Sequence, residues 1–383
     1  MWIQTAEVQY FRNIRHIKCT FAPGVNVIYG VNAQGKTNML EALYMLVTGR
    51  SFRGSPDKDL IPWNPPEFYA ATIVRAQVDS KISGSDKFLL SFDQTQKCIM
   101  VNDVPLKRLG ELIGKFNCVL FTPFDLDLVT GPPTRRRRFV DLLLSQIDAQ
   151  YLYHLQRYDK ALRQCNMTLK YARSNPKVLE QLFPWQEQMS EHGSEVIMSR
   201  RRYLQEIDAL ASAAYTRFAK EASEEFSLHY MTNQAFAECA SATDVSQLLL
   251  RTMRNRTDDD IGRGFVSVGP HRDDLALNLY GRSADDFASQ GQQRSIAIAL
   301  KQAELELLTQ IRGERPMLML DDILSELDEN RRRALIDFMP EDVQTFVTTT
   351  DATLIQALHR VEKSFNMDAG MITDGEDSQN QGQ

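Results

Sequence analysis

The residues with the clearest chemical potential form a glycine-rich loop near the N-terminus. The loop follows the pattern G-x-x-x-x-G-K-[ST] and comprises Gly30, Val31, Asn32, Ala33, Gln34, Gly35, Lys36 and Thr37. Glycines let backbone amides close around a polyphosphate, the lysine reaches the β- and γ-phosphates, and the threonine hydroxyl holds Mg²⁺. A β-rich run precedes the loop and a helical run that opens with Asn38 follows it, as this motif requires. The sequence therefore predicts a site for a nucleoside triphosphate and Mg²⁺.

A pair of carboxylates lies far along the chain from this loop. Asp321 and Asp322 follow the apolar run 317–320, which is too short for a helix and is typical of a buried parallel strand. Ligands of α/β proteins bind at the carboxyl ends of such strands. We expect Asp321 to be the Walker B acid that holds Mg²⁺, and Asp322 to polarise an attacking water. An ordinary acidic loop after a strand is the alternative.

The long separation of the two motifs indicates an insertion within one nucleotide-binding fold. Between them lies Ser289-Gln290-Gly291-Gln292, just before a helix predicted from residue 295 to about 310. A hydroxyl and exposed amides at a helix N-terminus suit a phosphate. If this loop lies on the far side of the fold from its own glycine-rich loop, a second, head-to-tail copy of the chain would supply it. The pattern thus favours a homodimer that depends on ATP.

Composition narrows the class of protein. The chain has 383 residues, 43% of them hydrophobic and 25% charged, which is typical of a soluble globular protein of two or three domains. No signal peptide or membrane-spanning run is predicted, and the five cysteines are widely spaced, so we expect a cytoplasmic protein with reduced thiols. The net charge of −6 argues weakly against indiscriminate binding to nucleic acid.

Hydrophobic patterns divide the chain into four segments. Residues 1–130 are expected to contain strands, the glycine-rich loop and an antiparallel β-subdomain over residues 69–104. Residues 131–260 are expected to form an inserted, mainly helical domain, because apolar residues recur at spacings of three and four. That insertion is either a short antiparallel arm or a bundle. Residues 261–370 complete the nucleotide-binding fold, and residues 371–383 are expected to be a disordered tail.

Several motifs in a fixed order carry a family resemblance. Besides the three sites above, they are Phe11-Arg12-Asn13, Gly49-Arg50-Ser51-Phe52-Arg53, Val268-Gly-Pro-His-Arg-Asp-Asp274, Ser325-Glu-Leu-Asp328 and Thr348-Thr-Thr-Asp351. Each is weak alone, but their joint order is specific. The chain resembles the ABC-type head ATPases of the structural-maintenance-of-chromosomes and Rad-fifty kind, and most closely the RecF family of bacterial recombination proteins. The match runs nearly end to end.

The resemblance implies an α/β fold, an ABC-type P-loop ATPase head, and roles for particular residues. Ser289, Gly291 and Gln292 would form the signature loop that acts on a partner's γ-phosphate. Asp328 would lie in the D-loop at the dimer seam, and Thr350 and Asp351 at the switch position. The implied cofactor-binding set also includes Arg12 and Asn38. The chain departs from the family at Phe124, where an acidic residue is expected after Pro123; Asp125 is the substitute.

The resemblance also implies an activity. The chain would be an ATP-dependent DNA-binding protein of recombinational repair and replication restart, and its dimer would clamp gapped, single-stranded or double-stranded DNA. Slow, DNA-stimulated hydrolysis would act as the switch that releases DNA. The RecO and RecR proteins would be its partners in RecA loading and the SOS response.

Two basic segments are candidates for binding DNA. The first contains Arg50, Arg53 and Lys58, and the alternative is a solvated loop. The second is the run Arg135, Arg136, Arg137 and Arg138 at the start of a predicted helix. Cations there oppose the helix dipole at about 0.3–1 kcal/mol each, so helix stability does not explain them. The alternative is pairing with Asp141 and nearby acids. We find no interleaved aromatic residues and expect backbone-led binding.

Three rival functions remain. A transporter-type ABC ATPase predicts a short spacing between the Walker motifs and a switch histidine, and the sequence has neither. A P-loop small-molecule kinase needs no signature loop and no dimer. A chromosome-organising head with little turnover predicts a much longer helical insertion.

Overall fold

The computed structural model describes residues 1–66, 69–217, 225–351, 353–358 and 360–374. The chain divides into two units. Unit 1 comprises residues 1–125 and 304–383, and unit 2 comprises residues 126–303. Unit 1 is therefore built from the two ends of the chain, as expected for a nucleotide-binding fold that contains an insertion. The predicted boundaries at residues 130 and 260 stay a prediction.

The elements follow in chain order. The first part contains β1 (Trp2–Phe11), β2 (Ile14–Thr20), β3 (Val25–Tyr29), α1 (Lys36–Thr48), β4 (Thr72–Ser80), β5 (Gly84–Phe92), β6 (Lys97–Val101), β7 (Val104–Pro105) and β8 (Cys118–Phe121). The middle part contains α2 (Asp127–Thr130), α3 (Pro133–Ile147), α4 (Ala149–Ala172), α5 (Leu182–Tyr215), β9 (Phe226–Met231), α6 (Gln234–Ala237), α7 (Ala242–Asn255), α8 (Thr257–Arg263), β10 (Asp274–Leu279), β11 (Arg282–Ser283), α9 (Ala284–Phe287) and α10 (Gln290–Arg312). The last part contains β12 (Met317–Asp321), α11 (Ile323–Glu326), α12 (Glu329–Phe338), β13 (Thr345–Thr349), α13 (Thr353–Ala357), β14 (Val361–Asp368) and β15 (Met371–Asp374).

A mostly parallel sheet forms the centre of unit 1. Its strand order is β15-β14-β3-β13-β12-β8, and β14, β3, β13, β12 and β8 run parallel. All residues of β8 and β12 are buried, which explains why both read as short, nearly unbroken apolar runs. The predicted buried strand before Asp321 is confirmed. Because β13 lies between β3 and β12, the carboxyl ends of these three strands bring three distant loops together.

An antiparallel sheet completes unit 1, in the order β2-β1-β4-β5-β6-β7. The predicted β-subdomain is thus present, and β1 and β2 belong to its sheet. Gln344 links it to the parallel sheet: its Oε1 accepts from Ile3 N at 2.7 Å, and its Nε2 donates to Ile3 O at 2.8 Å. A buried amide with both partners satisfied fixes the two sheets against each other.

The helical insertion is a bundle. Helices α4 and α5 pack antiparallel, since Tyr151 contacts Arg200 and Tyr158, further along α4, lies against the earlier Gly193 of α5. A Cβ on Gly193 would lie 2.9 Å from the Tyr158 ring and 3.2 Å from Leu249 of α7. The same core contains residues of α4, α5, α6 and α7. The apolar face of α5 is thus covered by α7 as well as α4, so the described helices of the insertion share one core.

Three features of the secondary structure differ from the sequence-based expectation. Unit 2 contains a small sheet, β11-β10-β9, whose strand β9 was not predicted. Helix α10 begins at Gln290 and not at Ser295. Met371–Asp374, expected in a disordered tail, forms β15 paired with β14, because its β-branched residues can pair with an adjacent strand. Residues 375–383 of that predicted tail lie outside the described residues. None of the described helices is long and apolar enough to span a membrane.

Candidate functional site

The glycine-rich loop joins the end of β3 to the start of α1. Gly30 and Gly35 have φ of +152° and +116°, a region that residues with a Cβ rarely adopt. A Cβ on Gly30 would lie 2.3 Å from the backbone oxygen of Met367. Glycine is required there because the loop passes directly beside β14.

Neighbouring turns brace this loop. Asn13 Nδ2 donates to the Gln34 carbonyl at 3.0 Å, and Gly370 N donates to the same oxygen at 2.9 Å. Asn38 Nδ2 in turn donates to Asn13 Oδ1 at 2.8 Å. The β1–β2 and β14–β15 turns therefore hold the loop in shape. A preformed loop loses little conformational entropy when a ligand binds.

Lys36 spans the loop from the first turn of α1. Its Nζ donates to the carbonyls of Gly30 and Val31 at 2.7 and 2.9 Å. Burial lowers the pKa of Lys36, and the nearby carboxylates of Asp322 and Asp321 oppose that shift. Because an ammonium carries three hydrogens, one remains for an anionic group in the loop.

Thr37 connects the loop to Asp321 at the end of β12. Its hydroxyl donates to Asp321 Oδ1 at 2.8 Å, although the two residues are 284 positions apart. Asp321 is 4% exposed, and burial raises its pKa. Since the Thr37 hydrogen points to Asp321, the lone pairs of Thr37 are available to a cation. No cluster of three or more His, Cys, Asp or Glu side chains with metal-binding geometry occurs among the described residues. Mg²⁺ would thus take its other ligands from phosphates and water.

Thr348 of β13 contacts the Asp321 carboxylate and the Asp322 backbone amide, a role that its sequence motif does not indicate. Its hydroxyl donates to Asp321 Oδ1 at 2.9 Å and accepts from Asp322 N at 2.9 Å. Asp322 has φ of +52°, a conformation that is costly for a residue with a side chain and is common at functional sites. The motif at 348–351 had drawn attention to Thr350 and Asp351. Only the strand order places Thr348 between the two Walker strands.

A buried ion pair supports α1 beside the loop. Arg12 donates to the two carboxylate oxygens of Glu41 at 2.6 and 2.9 Å, and the Ser51 hydroxyl also donates to Glu41. Arg53 lies 3.9 Å from Glu41 and donates to Asn38 Oδ1 at 3.4 Å. Arg12, predicted in the cofactor-binding set, is therefore held by Glu41. Arg53, predicted to contact DNA, lies next to the first turns of α1.

The predicted signature loop lies in unit 2. Ser289 Oγ accepts from Gln292 N at 3.3 Å, and Gln292 Oε1 accepts from Ser289 N at 2.9 Å, which is the reciprocal pattern of a capping box. Gly291 follows in the first turn of α10. Ser289 and Gln292, which were predicted to bind phosphate, thus cap the N-terminus of α10. The same prediction has this N-terminus facing the phosphate.

The remaining predicted nucleotide-site residues lie in turns of unit 1. Asp328 begins α12 and accepts from Arg331 N at 3.1 Å. Asp351 follows β13, and its N–H donates to Thr349 Oγ1 at 3.1 Å. Asp125 Oδ2 accepts from Thr122 N at 2.7 Å, so this substitute acid closes the turn that contains exposed Phe124.

The four consecutive arginines are used differently. Arg136 donates to both oxygens of Asp274 at 2.8 and 2.9 Å, and Arg137 donates to the Asp273 carbonyl at 2.6 Å. Arg135 is exposed and lies 3.5 Å from Asp127. Arg138 is also exposed. Arg136 is therefore paired with an acid, as the alternative predicted, whereas Arg137 is held by a backbone carbonyl. In unit 1, Arg50 and Lys58 are exposed.

The chain is similar to known proteins in both sequence and structure. A model described as an AAA domain matches residues 7–106. The DNA replication and repair protein RecF of Lactobacillus delbrueckii subsp. bulgaricus is 37% identical over 383 residues, covering 99% of each chain. A solved structure of the recombination mediator protein RecF with ATP in the RecFOR pathway is 32% identical, with a TM-score of 0.89 over 98% of this chain and 97% of that one. The Smc head domain of Pyrococcus furiosus, 15% identical with a TM-score of 0.55 over 98% and 96%, shares the fold.

Proposed function

The chain belongs to the RecF family of DNA replication and repair proteins, and on that premise we propose that it is an ATP-dependent DNA-binding protein of recombinational repair and replication restart. One observation supports this above the others. The Thr37 hydroxyl joins the glycine-rich loop to Asp321 at 2.8 Å, so two motifs from opposite ends of the chain form one site. A triphosphate with a divalent cation is the ligand that this combination suits.

Each residue of the site has a role in this proposal. The loop amides and Lys36 bind the ATP phosphates, while Thr37 and Asp321 hold Mg²⁺. The bound Mg²⁺ supplies charge neutralisation at the phosphates. Asp322 orients the attacking water and takes up its proton. Asp328 and Asp351 lie in turns of the same unit and would approach the nucleotide from the dimer side.

The dimer and its partners complete the proposal. Ser289, Gly291 and Gln292 of a second copy would contact the γ-phosphate, where the N-terminus of α10 favours negative charge. Closure of the dimer would place DNA against the exposed cations Arg50, Lys58, Arg135 and Arg138. Hydrolysis would be slow, stimulated by DNA, and would release the clamp. RecR and RecO would be its partners in RecA loading and the SOS response.

Two substitutions test this function by separating binding from hydrolysis. We expect Lys36→Ala to abolish ATP-dependent dimerisation, because the phosphates lose their buried cation. Asp322→Asn keeps the phosphate contacts, so it should dimerise with ATP and stay on DNA, while its hydrolysis rate falls about 10²–10⁴-fold. Sedimentation with and without ATP, and DNA binding at several salt concentrations, measure these effects. Lys177→Ala, at an exposed lysine of unit 2, is the control.

The outcomes distinguish the rival functions. A Lys36→Ala protein that still dimerises with ATP and binds DNA normally contradicts the switch. A wild-type protein that stays monomeric with ATP and phosphorylates a small molecule supports the kinase alternative.

A further inference from the structure

We propose that Trp63 stacks on an unpaired nucleobase of single-stranded DNA. Trp63 is 96% exposed, more than any other large hydrophobic side chain among the described residues. Exposing an indole to water is unfavourable, and aromatic side chains that are held in solvent are typical of binding sites. This inference rests on the DNA binding proposed above and assigns to it a base-contacting residue.

The backbone just before Trp63 is firmly anchored. Leu60 and Ile61 are buried, and the Leu60 carbonyl accepts from Arg12 N at 2.7 Å. Trp63 follows two residues later, between Pro62 and the pair at 65–66. Proline fixes φ near −65°, so these rings restrict the backbone on both sides of the indole. A backbone restricted in this way loses little conformational entropy when the indole binds.

The turn that precedes Trp63, and the end of α1 to which it is joined, carry exposed cations. Lys97 Nζ donates to the Gly49 carbonyl at 2.6 Å and to Asp57 at 2.9 Å, which joins the end of α1 to the turn 57–60. The exposed residues Arg50 and Lys58 directly follow Gly49 and Asp57 in the sequence. The Lys97 ammonium balances the charge of Asp57, which leaves Asp59 as the exposed acid of this turn. Over residues 49–60, Arg50 and Lys58 therefore outnumber Asp59, the exposed acid.

An aromatic face beside cations suits single-stranded DNA better than duplex DNA. Every base has a π-face, and stacking on an aromatic side chain tolerates any sequence, while the cations follow the phosphates. In a duplex these faces are already stacked on neighbouring base pairs, so an unpaired base is the available partner. The surface would thus recognise the single-stranded part of a gap. The sequence carries no motif for this surface, because Trp63 stands alone among prolines and does not alternate with basic residues.

The test compares Trp63→Ala, Trp63→Phe and wild type on oligo(dT), a duplex of equal length, and a gapped duplex, with ATP and Mg²⁺. We expect Trp63→Ala to bind oligo(dT) and the gap about 10-fold more weakly and the duplex equally well. Trp63→Phe should retain most of the affinity, because phenylalanine can also stack. The slope of log affinity against log salt should not change, since no phosphate contact is lost. Tyr171→Ala, which removes an exposed aromatic ring from α4, is the control.

Fluorescence gives a second readout. The other two tryptophans, Trp2 and Trp185, are half-buried, so oligo(dT) should quench wild-type emission and leave Trp63→Phe emission nearly unchanged. Equal affinity of Trp63→Ala and wild type for oligo(dT) and the gap, without quenching, would overturn the inference while the proposed function stands. Loss of binding to a protein partner with unchanged DNA affinity would also overturn it. A wild-type protein that binds no DNA refutes the proposed function itself.

Discussion

Each unit contains a buried aspartate. The two are exposed to a similar extent, but their hydrogen-bond partners and neighbouring charges differ. Asp321 of unit 1 is 4% exposed and Asp273 of unit 2 is 6% exposed, and burial raises the pKa of both. Asp321 accepts two threonine hydroxyls on one oxygen, Oδ1. Asp273 accepts Thr232 on Oδ1 and Tyr230 on Oδ2.

The neighbouring charges differ as well. Arg200 and Arg137 of unit 2 lower the pKa of Asp273 and so offset part of its burial, and Arg200 is itself held by Asp141 at 2.6 Å. At Asp321, Arg53 also lowers the pKa, but the adjacent carboxylate of Asp322 raises it, whereas the charges that act most on the pKa of Asp273 are those of the two arginines. A carboxylate that lies near arginines and accepts a hydroxyl on each of its two oxygens stabilises a fold. A carboxylate next to another carboxylate and a phosphate-binding loop suits a cation. Burial and a shifted pKa therefore do not identify a functional site by themselves.

The largest expected effect concerns the arginine at the centre of unit 2. Arg200 is buried, and it donates to Asp141, to Tyr151 and to the Pro270 carbonyl. Arg200→Met leaves those acceptors without their donor, so we expect unit 2 to lose about 3–5 kcal/mol of unfolding free energy. Urea unfolding followed by Trp185, the tryptophan of unit 2, measures this. ATP binding by a single copy should not change, because the proposed Walker residues Lys36, Thr37 and Asp321 lie in unit 1.

The matched control is Arg202→Met, two positions further along α5. Arg202 is 63% exposed and lies 3.8 Å from Asp148, so its removal should change stability by about 0.5 kcal/mol or less. If Arg200→Met is as stable as that control but loses ATP hydrolysis, the centre of unit 2 is functional and the contrast with Asp321 fails.

Much of the fold follows from local pattern. The apolar run at 317–320 predicts β12 because a strand buried on both faces must be apolar throughout. The strand–loop–helix around Lys36 follows for a similar reason. The pairing of α5 with α7 does not, because heptad spacing fits both a two-helix arm and a bundle. Strand β9 also escaped prediction, since its partner β10 lies more than 40 residues away.

The site was predictable to the extent that its motifs are contiguous. Lys36 and Thr37 are fixed by a short pattern, and Asp321 by its place after a strand. Thr348 and Glu41 carry no such pattern, because their partners are set by strand order and by the β1–β2 turn. The partner of Arg136 was also not predictable, because it is distant in the sequence. The charge of the arginine run suggests an anionic ligand, but Arg136 pairs with Asp274 within unit 2.

The next expected effect is at Thr348, whose hydroxyl joins the Asp321 carboxylate to the Asp322 backbone amide, a link that Thr232 does not make at Asp273. Thr348→Val keeps the shape of the side chain and removes the hydroxyl that orients Asp321 and Asp322. We expect the ATP hydrolysis rate or the apparent Mg²⁺ affinity to fall about 10–100-fold, as for other residues that orient metal-binding groups. ATP titration at fixed Mg²⁺ and Mg²⁺ titration at fixed ATP separate the two effects.

Two variants control this prediction. Thr348→Ser keeps a hydroxyl and should restore most of the rate. Thr345→Val removes a buried hydroxyl from the same strand that bonds only the Val343 carbonyl among the described contacts, so it should leave the Mg²⁺ dependence unchanged. A Thr348→Val protein with wild-type kinetics and a lowered Tm would make Thr348 structural and erase the difference between the two aspartates.

The smallest expected effect is the pH dependence of unit 2, which distinguishes its centre from that of unit 1. His271 Nε2 faces the Val266 carbonyl at 3.0 Å, which can only accept, so the ring donates there and Nδ1 accepts from the Tyr158 hydroxyl at 2.6 Å. This arrangement needs a neutral ring, and burial lowers the pKa of His271 to about 4, aided by Arg272, Arg137 and Arg200.

The sign of the effect follows from this lowered pKa. As the pH falls from about 6.5 towards 4, the unfolded chain takes up a proton at His271 that the folded chain refuses, so stability is lost in that window. The loss between pH 7 and pH 5 is about 2 kcal/mol from this group. Asp273, whose pKa is raised by burial, acts in the opposite direction, because the folded chain accepts its proton more readily. Urea unfolding of wild type and His271→Gln at both pH values cancels the Asp273 contribution. If both proteins lose the same stability, the folded His271 ring takes up a proton as readily as the unfolded one, and its burial among Arg272, Arg137 and Arg200 does not keep it neutral.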